Sequence, residues 1–425
     1  MDLVLFLAVF AVLFIVGMPV GFAMIISGVA YALSAGLDMA FFSLEMFKSV
    51  NNFILIAIPM FILTAEVMNA STVADRMFDF ANALVGWIPG GIGHTNVLTS
   101  VIFAGMSGSA AADVGGIGFL AYRAMVKRGF DKPFSAAVTA ASSCIGPIIP
   151  PSIPVVVFAM VVPSASIITI FLGGVFPGLI MGLSMMVYIF FIAKKRGYPV
   201  EKRPSPRDLL AALQRGILPV LTPVVLLLSI SSGMVTISEG AVITVLYACL
   251  LGWGVYRVLD RKRFLACCAS VFSSCGTIMI FFAAGKVFSF VLSRARVPDL
   301  LSGMFLGITA NPIIILFAIN IMFIVLGFFS EALVNIMLFA PMVVPFATAL
   351  GIDTNVLGVM IVINTVMGAI TPPVGTLVYN VAGLTKVPLE GVFREVLPFV
   401  VGYTLILVFL IFFPGIITFL PSLIL

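Results

Sequence analysis

Charge is what this chain has least of. Asp, Glu, Lys and Arg make up 9% of its 425 residues, against roughly a quarter in ordinary soluble domains. Apolar residues reach 62%, and the mean hydropathy is +1.27, which leaves a soluble fold nothing with which to cover its core. Histidine is reduced to His94, and the five cysteines (Cys144, Cys249, Cys267, Cys268, Cys275) sit in or beside apolar runs without metal-ligand spacing. Zinc and redox-metal chemistry, and a disulfide framework, are therefore not expected, and the cysteines read as small packing residues. No Walker motif is present, so ATP hydrolysis is excluded, and no Ser/His, paired-Asp or metal constellation supports a hydrolase. No basic residue precedes Lys48, so a cleavable leader is not expected and the N-terminal run reads as a first span. The formal net charge is +5, but the basic residues lie at the ends of apolar runs, where they control topology; nucleic acid is not a partner.

What is there is a series of apolar runs, most reaching the roughly 17–25 residues that a helix needs to cross about 30 Å of hydrocarbon. They lack strict alternation, so helices rather than barrel strands are expected, and the chain reads as an all-α polytopic membrane protein. Leu3–Leu33 is too long for one untilted helix, and Gly17, Met18 and Pro19 supply a corner; two spans are expected, one strongly tilted helix being the alternative.

Shifted by 222 residues, the chain falls into register with itself: Gly105 meets Gly327, Gly129 meets Gly351, Asp131 meets Asp353, Gly146 meets Gly368, and Pro150 and Pro151 meet Pro372 and Pro373. The matched residues are helix breakers. The first repeat is expected over 1–193, with scaffold helices 1–70, an arm 71–89, a hairpin and broken helix 90–165, and a closing helix 166–193. A linker, 194–216, carries seven basic residues and three prolines. The second repeat covers 217–425: scaffold helices 217–292, arm 293–310, hairpin and broken helix 311–384, and closing helix 396–425. Five spans and one re-entrant hairpin per half are expected.

With the basic linker in the cytoplasm, 18 of the 22 Lys and Arg residues fall on the cytoplasmic side, leaving Lys48, Lys286, Arg294 and Arg296 outside. An odd span count inverts the second repeat, so the hairpins enter from opposite faces and both termini face outward. Two amphipathic arms precede the hairpins. In Ser71–Trp87, Val73, Met77, Phe80, Ala81 and Leu84 share a face, and Thr72 with Asp75 suggests a capping-box start. The second arm opens at Pro298 and runs through Leu301, Met304, Phe305 and Ile308.

The first hairpin is expected to turn at Ser107–Asp113, and the following span breaks at Gly146–Ser152. Proline lacks an amide hydrogen and clashes with the preceding turn, so tandem prolines free carbonyls at membrane depth. Each unsatisfied group there costs several kcal/mol, and a dehydrated hard cation is one way to satisfy it. The hydroxyl of Ser107 or Ser109 would complete an oxygen cage. The second half repeats this design with a tip at Gly327–Ala332 and a break at Asn364–Pro373. Half-helices starting near Ser152 and near Gly375 and Thr376 would present amide donors to a carboxylate. The candidate substrate contacts are Ser109, Asp113, Ser152, Glu331, Gly375 and Thr376. Glu66 and Lys286 read as snorkelling or structural groups at helix ends, and His94 as an interface residue.

The runs Gly90–Val97, Ser107–Asp113 and Gly146–Ser152, with Ala57–Phe61 and Thr371–Gly375, resemble the large membrane subunit of tripartite ATP-independent periplasmic (TRAP) transporters across essentially the full chain. Ala110–Ala112 departs from the valine that many members carry. The resemblance implies an inverted-repeat, elevator-type secondary transporter with two re-entrant hairpins and two broken helices in the bacterial inner membrane. It implies a small TRAP membrane subunit and a periplasmic substrate-binding protein as partners. Uptake of a small organic acid, of sialic acid or dicarboxylate type, would be driven by Na+. It further implies sodium ligands at Ser107, Gly146, Ile149 and Pro151 and at Gly327, Thr365, Met367 and Gly368. A self-sufficient sodium/anion symporter of the same architecture is the alternative, and an ion channel built on paired hairpins is a further one.

Overall fold

The computed structural model describes residues 2–425, except for the side chains of Asp2, Phe305, Leu306 and Ile308. Every regular element among the described residues is helical. Among the described residues, eight helical segments are long and apolar enough to cross a membrane: Phe53–Ala70, Ile167–Arg196, Pro206–Ser231, Ile237–Val255, Arg261–Arg294, Pro312–Phe329, Ala332–Ala349 and Leu389–Phe412. The chain is an all-α, polytopic membrane protein with several interrupted helices.

The N-terminal run divides into α1 (Asp2–Ile15) and α2 (Val20–Ser34). The corner between them is where two were expected: Gly17 takes a left-handed φ of +88° and Pro19 precedes α2. Next come α3 (Met39–Val50), α4 (Ala57–Ala70) and the amphipathic α5 (Val73–Val85). Val73, Met77, Phe80 and Ala81 bury one face of α5 as the periodicity predicts, whereas Leu84 is exposed. The expected capping box does not form. Thr72 sits at a left-handed φ of 58° and its hydroxyl caps nothing.

Helix α6 (Gly91–Ser107) leads through the short α7 (Ala110–Asp113) and a π turn, Val114–Gly118, into α8 (Phe119–Lys127). The next helix is in two pieces, α9 (Lys132–Ser143) and α10 (Ile153–Val161), before the long α11 (Ile167–Arg196). The polar connection is shorter than the predicted linker, because α11 runs on to Arg196 and α12 (Pro206–Ser231) starts at Pro206. Ser205 and Asp208 form a reciprocal capping box there, with Pro206 at the first helical position.

The second half continues with α13 (Ile237–Cys249), α14 (Arg261–Arg294), α15 (Val297–Ile308), α16 (Pro312–Phe329) and α17 (Ala332–Ala349). Of the expected apolar face of α15, Leu301 packs on the core and Met304 is exposed; the side chains of Phe305 and Ile308 lie outside the described residues. The second divided helix is α18 (Thr354–Gly368) and α19 (Thr376–Thr385). The closing segment starts earlier than predicted and breaks once, into α20 (Leu389–Phe412) and α21 (Gly415–Ile424), with Pro414 between them.

Small residues let these helices approach, as expected where lipid supplies no hydrophobic drive for helix association. A Cβ on Gly28 of α2 would lie 2.3 Å from Val287 of α14, and one on Gly216 of α12 would lie 2.6 Å from Phe80 of α5. The largest buried cluster gathers α9, α10, α18 and α20, with Phe134, Phe158, Phe399 and Tyr403 among its members. Tyr403 donates to the carbonyl of Ala141 at 2.9 Å, tying α20 to the end of α9.

At the polar end of α11, Arg196 makes two hydrogen bonds to the Glu395 carboxylate, at 2.8 and 2.9 Å, and one to Asp131 at 3.1 Å. Tyr198 donates to Asp131 at 2.6 Å and stacks on Phe130. Burial and that hydrogen bond push the Tyr198 phenol up to about 12, so it stays a donor at physiological pH. Glu201 pairs with Arg128 of the α8 end and accepts from Asn82 of α5 at 3.0 Å.

Candidate functional site

The first tip is the turn between α6 and α7. Gly108 closes α6 at φ +59°, a conformation a side chain disfavours. A Cβ there would also lie 2.3 Å from the Pro151 carbonyl oxygen. Ser109 follows in extended conformation and caps α7, its Oγ accepting from Ala112 N at 3.4 Å. The tip thus sits directly on the break between α9 and α10. Ile153 N donates to Gly108 O at 3.4 Å, and the Gly146 backbone faces Ser109 O. Ser107, Gly146, Ile149 and Pro151 are brought together at this junction, and all are buried.

The second junction has the same plan. The Gly327 backbone rests on Gly368: a Cβ on Gly368 would come 2.5 Å from Gly327 Cα, and one on Gly327 would come 3.2 Å from Thr365 O. Met367 O lies nearby but already accepts from Ile370 N at 3.1 Å and from Thr371 Oγ1 at 2.8 Å. Both breaks contain a cis prolyl bond, Pro150–Pro151 in the first and Pro372–Pro373 in the second.

Between the junctions lies a cavity of about 880 Å³. Ser107–Ala112, Pro147 and Ile153 line it from the first tip and break; Glu331–Leu333, Ala369, Thr376 and Leu377 line it from the second. The facing wall comes from α4, α5 and α14, with Glu66, Asn69, Asp75, Ser274, Thr277 and Phe281. Its ionisable described residues are Glu66, Asp75 and Glu331, with no Lys, Arg or His among them.

Of the predicted substrate contacts, Ser109, Glu331 and Thr376 line this cavity. Ser152 does not: it is fully buried, its hydroxyl donates to Pro147 O, and its Oγ accepts from Val155 N at 3.2 Å. The start of α10, expected to offer free amides, is occupied by this cap and by the Ile153–Gly108 bond. Gly375 stands behind Thr376 against Phe393, at φ +60°. Asp113 also lies off the cavity and is 0% exposed. His94 is buried with Nε2 at 3.0 Å from Pro89 O, and Lys286 approaches Glu45 at 3.8 Å.

Sequence reasoning missed the facing wall. Glu66, read as a structural helix-end group, borders the cavity and accepts from Ser270 Oγ at 2.9 Å. Asn69 and Thr277 share this wall, and Asn380 of α19 lines the cavity from the side of the second break. The one available signal was their polarity inside otherwise apolar runs.

Residues 7–416 match the family model described as "Tripartite ATP-independent periplasmic transporter, DctM component". The chain is 38% identical to the sialic acid TRAP transporter large permease protein SiaM of Vibrio cholerae, over 96% of this chain and 95% of that one. It is 34% identical to the C4-dicarboxylate TRAP transporter large permease protein DctM of Pseudomonas aeruginosa, covering 89% and 87%. The solved YdaH transporter of Alcanivorax borkumensis shares the fold at a TM-score of 0.64 with 12% identity, over 88% of each chain. With helices, matched breaks and these relatives in agreement, the chain belongs to the DctM family of TRAP transporter large permeases, membrane proteins of transport rather than enzymes.

Proposed function

We propose that the chain is the carrier subunit of a sodium-coupled importer of a small organic acid, of sialic-acid or dicarboxylate type. It works with a small membrane subunit and a periplasmic substrate-binding protein in the bacterial inner membrane. The observation that carries this reading is the cavity's charge: the described ionisable residues on its wall are all acidic. An organic anion held there needs positive charge from elsewhere. Co-transported Na+ at the two tip-and-break junctions supplies it, the ions resting on Ser107, Gly146, Ile149 and Pro151 on one side and Gly327, Thr365, Met367 and Gly368 on the other. Backbone carbonyls freed by broken helices are the usual seats for such ions near the midplane. Ser109, Glu331 and Thr376 face the substrate between them. The names of the relatives, a sialic acid permease and a C4-dicarboxylate permease, support an acid as cargo.

The two halves act as inverted repeats, with α6–α8 and α16–α17 as hairpins entering from opposite faces and both termini in the periplasm. Hairpins and divided helices move together against α2, α4, α12 and α14, so that the cavity opens to each side in turn. Asp75 on its wall stands next in sequence to Arg76, on the side expected to be cytoplasmic.

Uptake into proteoliposomes containing both membrane subunits, with binding protein outside, tests the reading. Accumulation of the acid under an inward sodium gradient, lost when potassium replaces sodium, is the expected result. Uptake indifferent to sodium sinks the coupling, and full uptake without the binding protein favours the self-sufficient symporter.

A further inference from the structure

The two tips share a backbone plan and differ in one side chain. Ser109 stands at the start of α7, and the residue 222 positions on, at the start of α17, is Glu331. Ser109 closes on its own helix, its Oγ accepting from Ala112 N at 3.4 Å, which leaves its hydroxyl proton free for the cavity it lines. Glu331 has the same extended backbone but its carboxylate caps nothing, and it forms no hydrogen bond or ion pair among the described residues. The second turn is held without it: Asn335 pairs with the Ser330 hydroxyl and donates to Ser330 O at 3.2 Å. The carboxylate is instead exposed on the cavity wall, and the positive end of the 18-residue helix behind it favours its ionised form.

Closure of the cavity around a cargo takes water from this carboxylate, and a desolvated anion without a partner is costly. No Lys, Arg or His among the described lining residues supplies one, and Glu66 opposite, already held by Ser270, adds charge of the same sign. The partner has to arrive with the cargo. We infer that Glu331 is the specificity-determining residue of the cavity, selecting an acid with a single carboxylate whose far end carries hydrogen-bond donors: hydroxyl, amide or ammonium. The cargo's carboxylate lies toward the first tip, where Ser109 donates, and its donors lie toward Glu331, where a charge-assisted hydrogen bond forms. A second carboxylate in that place meets like charge, so discrimination comes from repulsion as well as attraction. The inference rests on the organic-acid reading above and narrows it, since it excludes dicarboxylates.

The test is thermal stabilisation of the purified membrane complex in nanodiscs by added acids, at saturating sodium chloride and without the binding protein. The probes are N-acetylneuraminate and gluconate, which offer hydroxyls, 4-aminobutyrate, which offers an ammonium, and succinate, which resembles the last but ends in a second carboxylate. At least one of the first three should raise the melting temperature, with succinate at least ten-fold weaker; the one that binds tells hydroxyl from ammonium. Glu331→Gln should weaken that binding about ten-fold or more, narrow the margin over succinate, and leave the sodium response without acid unchanged. Succinate held by the wild type as tightly as the best of the three overturns the inference, whether or not the variant folds. A folded Glu331→Gln protein with wild-type acid affinities overturns it too, as does a variant that loses acid binding and sodium response together. Stabilisation by none of the four acids removes the organic-acid reading itself, a distinguishable failure.

Discussion

The thiol of Cys144 donates to the backbone carbonyl of Val366 at 3.5 Å, and the two residues stand 222 positions apart. Equivalent points of the two repeats therefore touch, Cys144 at the end of α9 and Val366 near the end of α18. The helix ends that precede the two breaks therefore meet inside the fold, with Cys144 and Val366 both buried. Cys144 itself is fully buried and free, in keeping with the packing role read from the sequence.

The closest backbone approach in the second junction predicts a steric phenotype. Gly368→Ala places a methyl 2.5 Å from Gly327, and overpacking of this kind costs about 1–3 kcal/mol. Uptake should fall at least ten-fold and the melting temperature should drop. A variant with wild-type uptake shows that Gly327 and Gly368 need not meet.

Gly108→Ala combines two penalties in the first junction. A left-handed φ costs an ordinary residue about 1–2 kcal/mol, and the new Cβ meets Pro151 O at 2.3 Å. Transport should be lost with the protein still in the membrane, as assayed by uptake beside surface expression. A control at Gly129, equally left-handed at φ +84° but open around it, should retain most activity.

Ser107→Ala removes one oxygen from the proposed first sodium seat. A hydroxyl contact of this kind contributes about 1 kcal/mol, so the sodium concentration for half-maximal uptake should rise about five-fold while the amount of folded protein is preserved. Sodium titration of initial uptake rates reads the shift; normal sodium activation in a folded variant removes Ser107 from the seat.

Arg196→Ala tests the polar clasp at the end of α11. The guanidinium joins Glu395 in a two-bond pairing and Asp131 in the same network, a geometry that outperforms isolated surface pairs. Loss of about 1 kcal/mol of stability is expected, with sodium affinity unchanged, as measured by thermal unfolding with and without sodium.

Much of the architecture was legible because breakers are local. Gly17 and Pro19 mark the first corner, and the repeated Gly and Pro clusters mark the ends of α9 and α18, since a missing amide or a left-handed φ acts on the chain's own backbone. Partners across the fold were not legible. Ser152 was expected to leave an open helix start, yet its hydroxyl turns inward to cap α10, a choice set by the neighbouring Pro147 carbonyl. Asp113 was placed with the substrate because it lies in the expected tip, but one helical turn carries it to the buried side. Glu66 read as a structural group at a helix end and Thr277 was not singled out; only the packing of α4 and α14 opposite the two tips makes them a wall. Thr72 fails as a cap because its backbone is left-handed, which composition does not reveal.

The most direct test of the central claim is an electron cryomicroscopy map of the complex in nanodiscs at saturating sodium, set beside one in sodium-free choline buffer. The account predicts ion density at both junctions, between Ser107 and Pro151 and between Gly327 and Thr365, that vanishes without sodium, with the hairpins entering from opposite leaflets. Empty junctions in the sodium map, or hairpins entering from one leaflet, would contradict it.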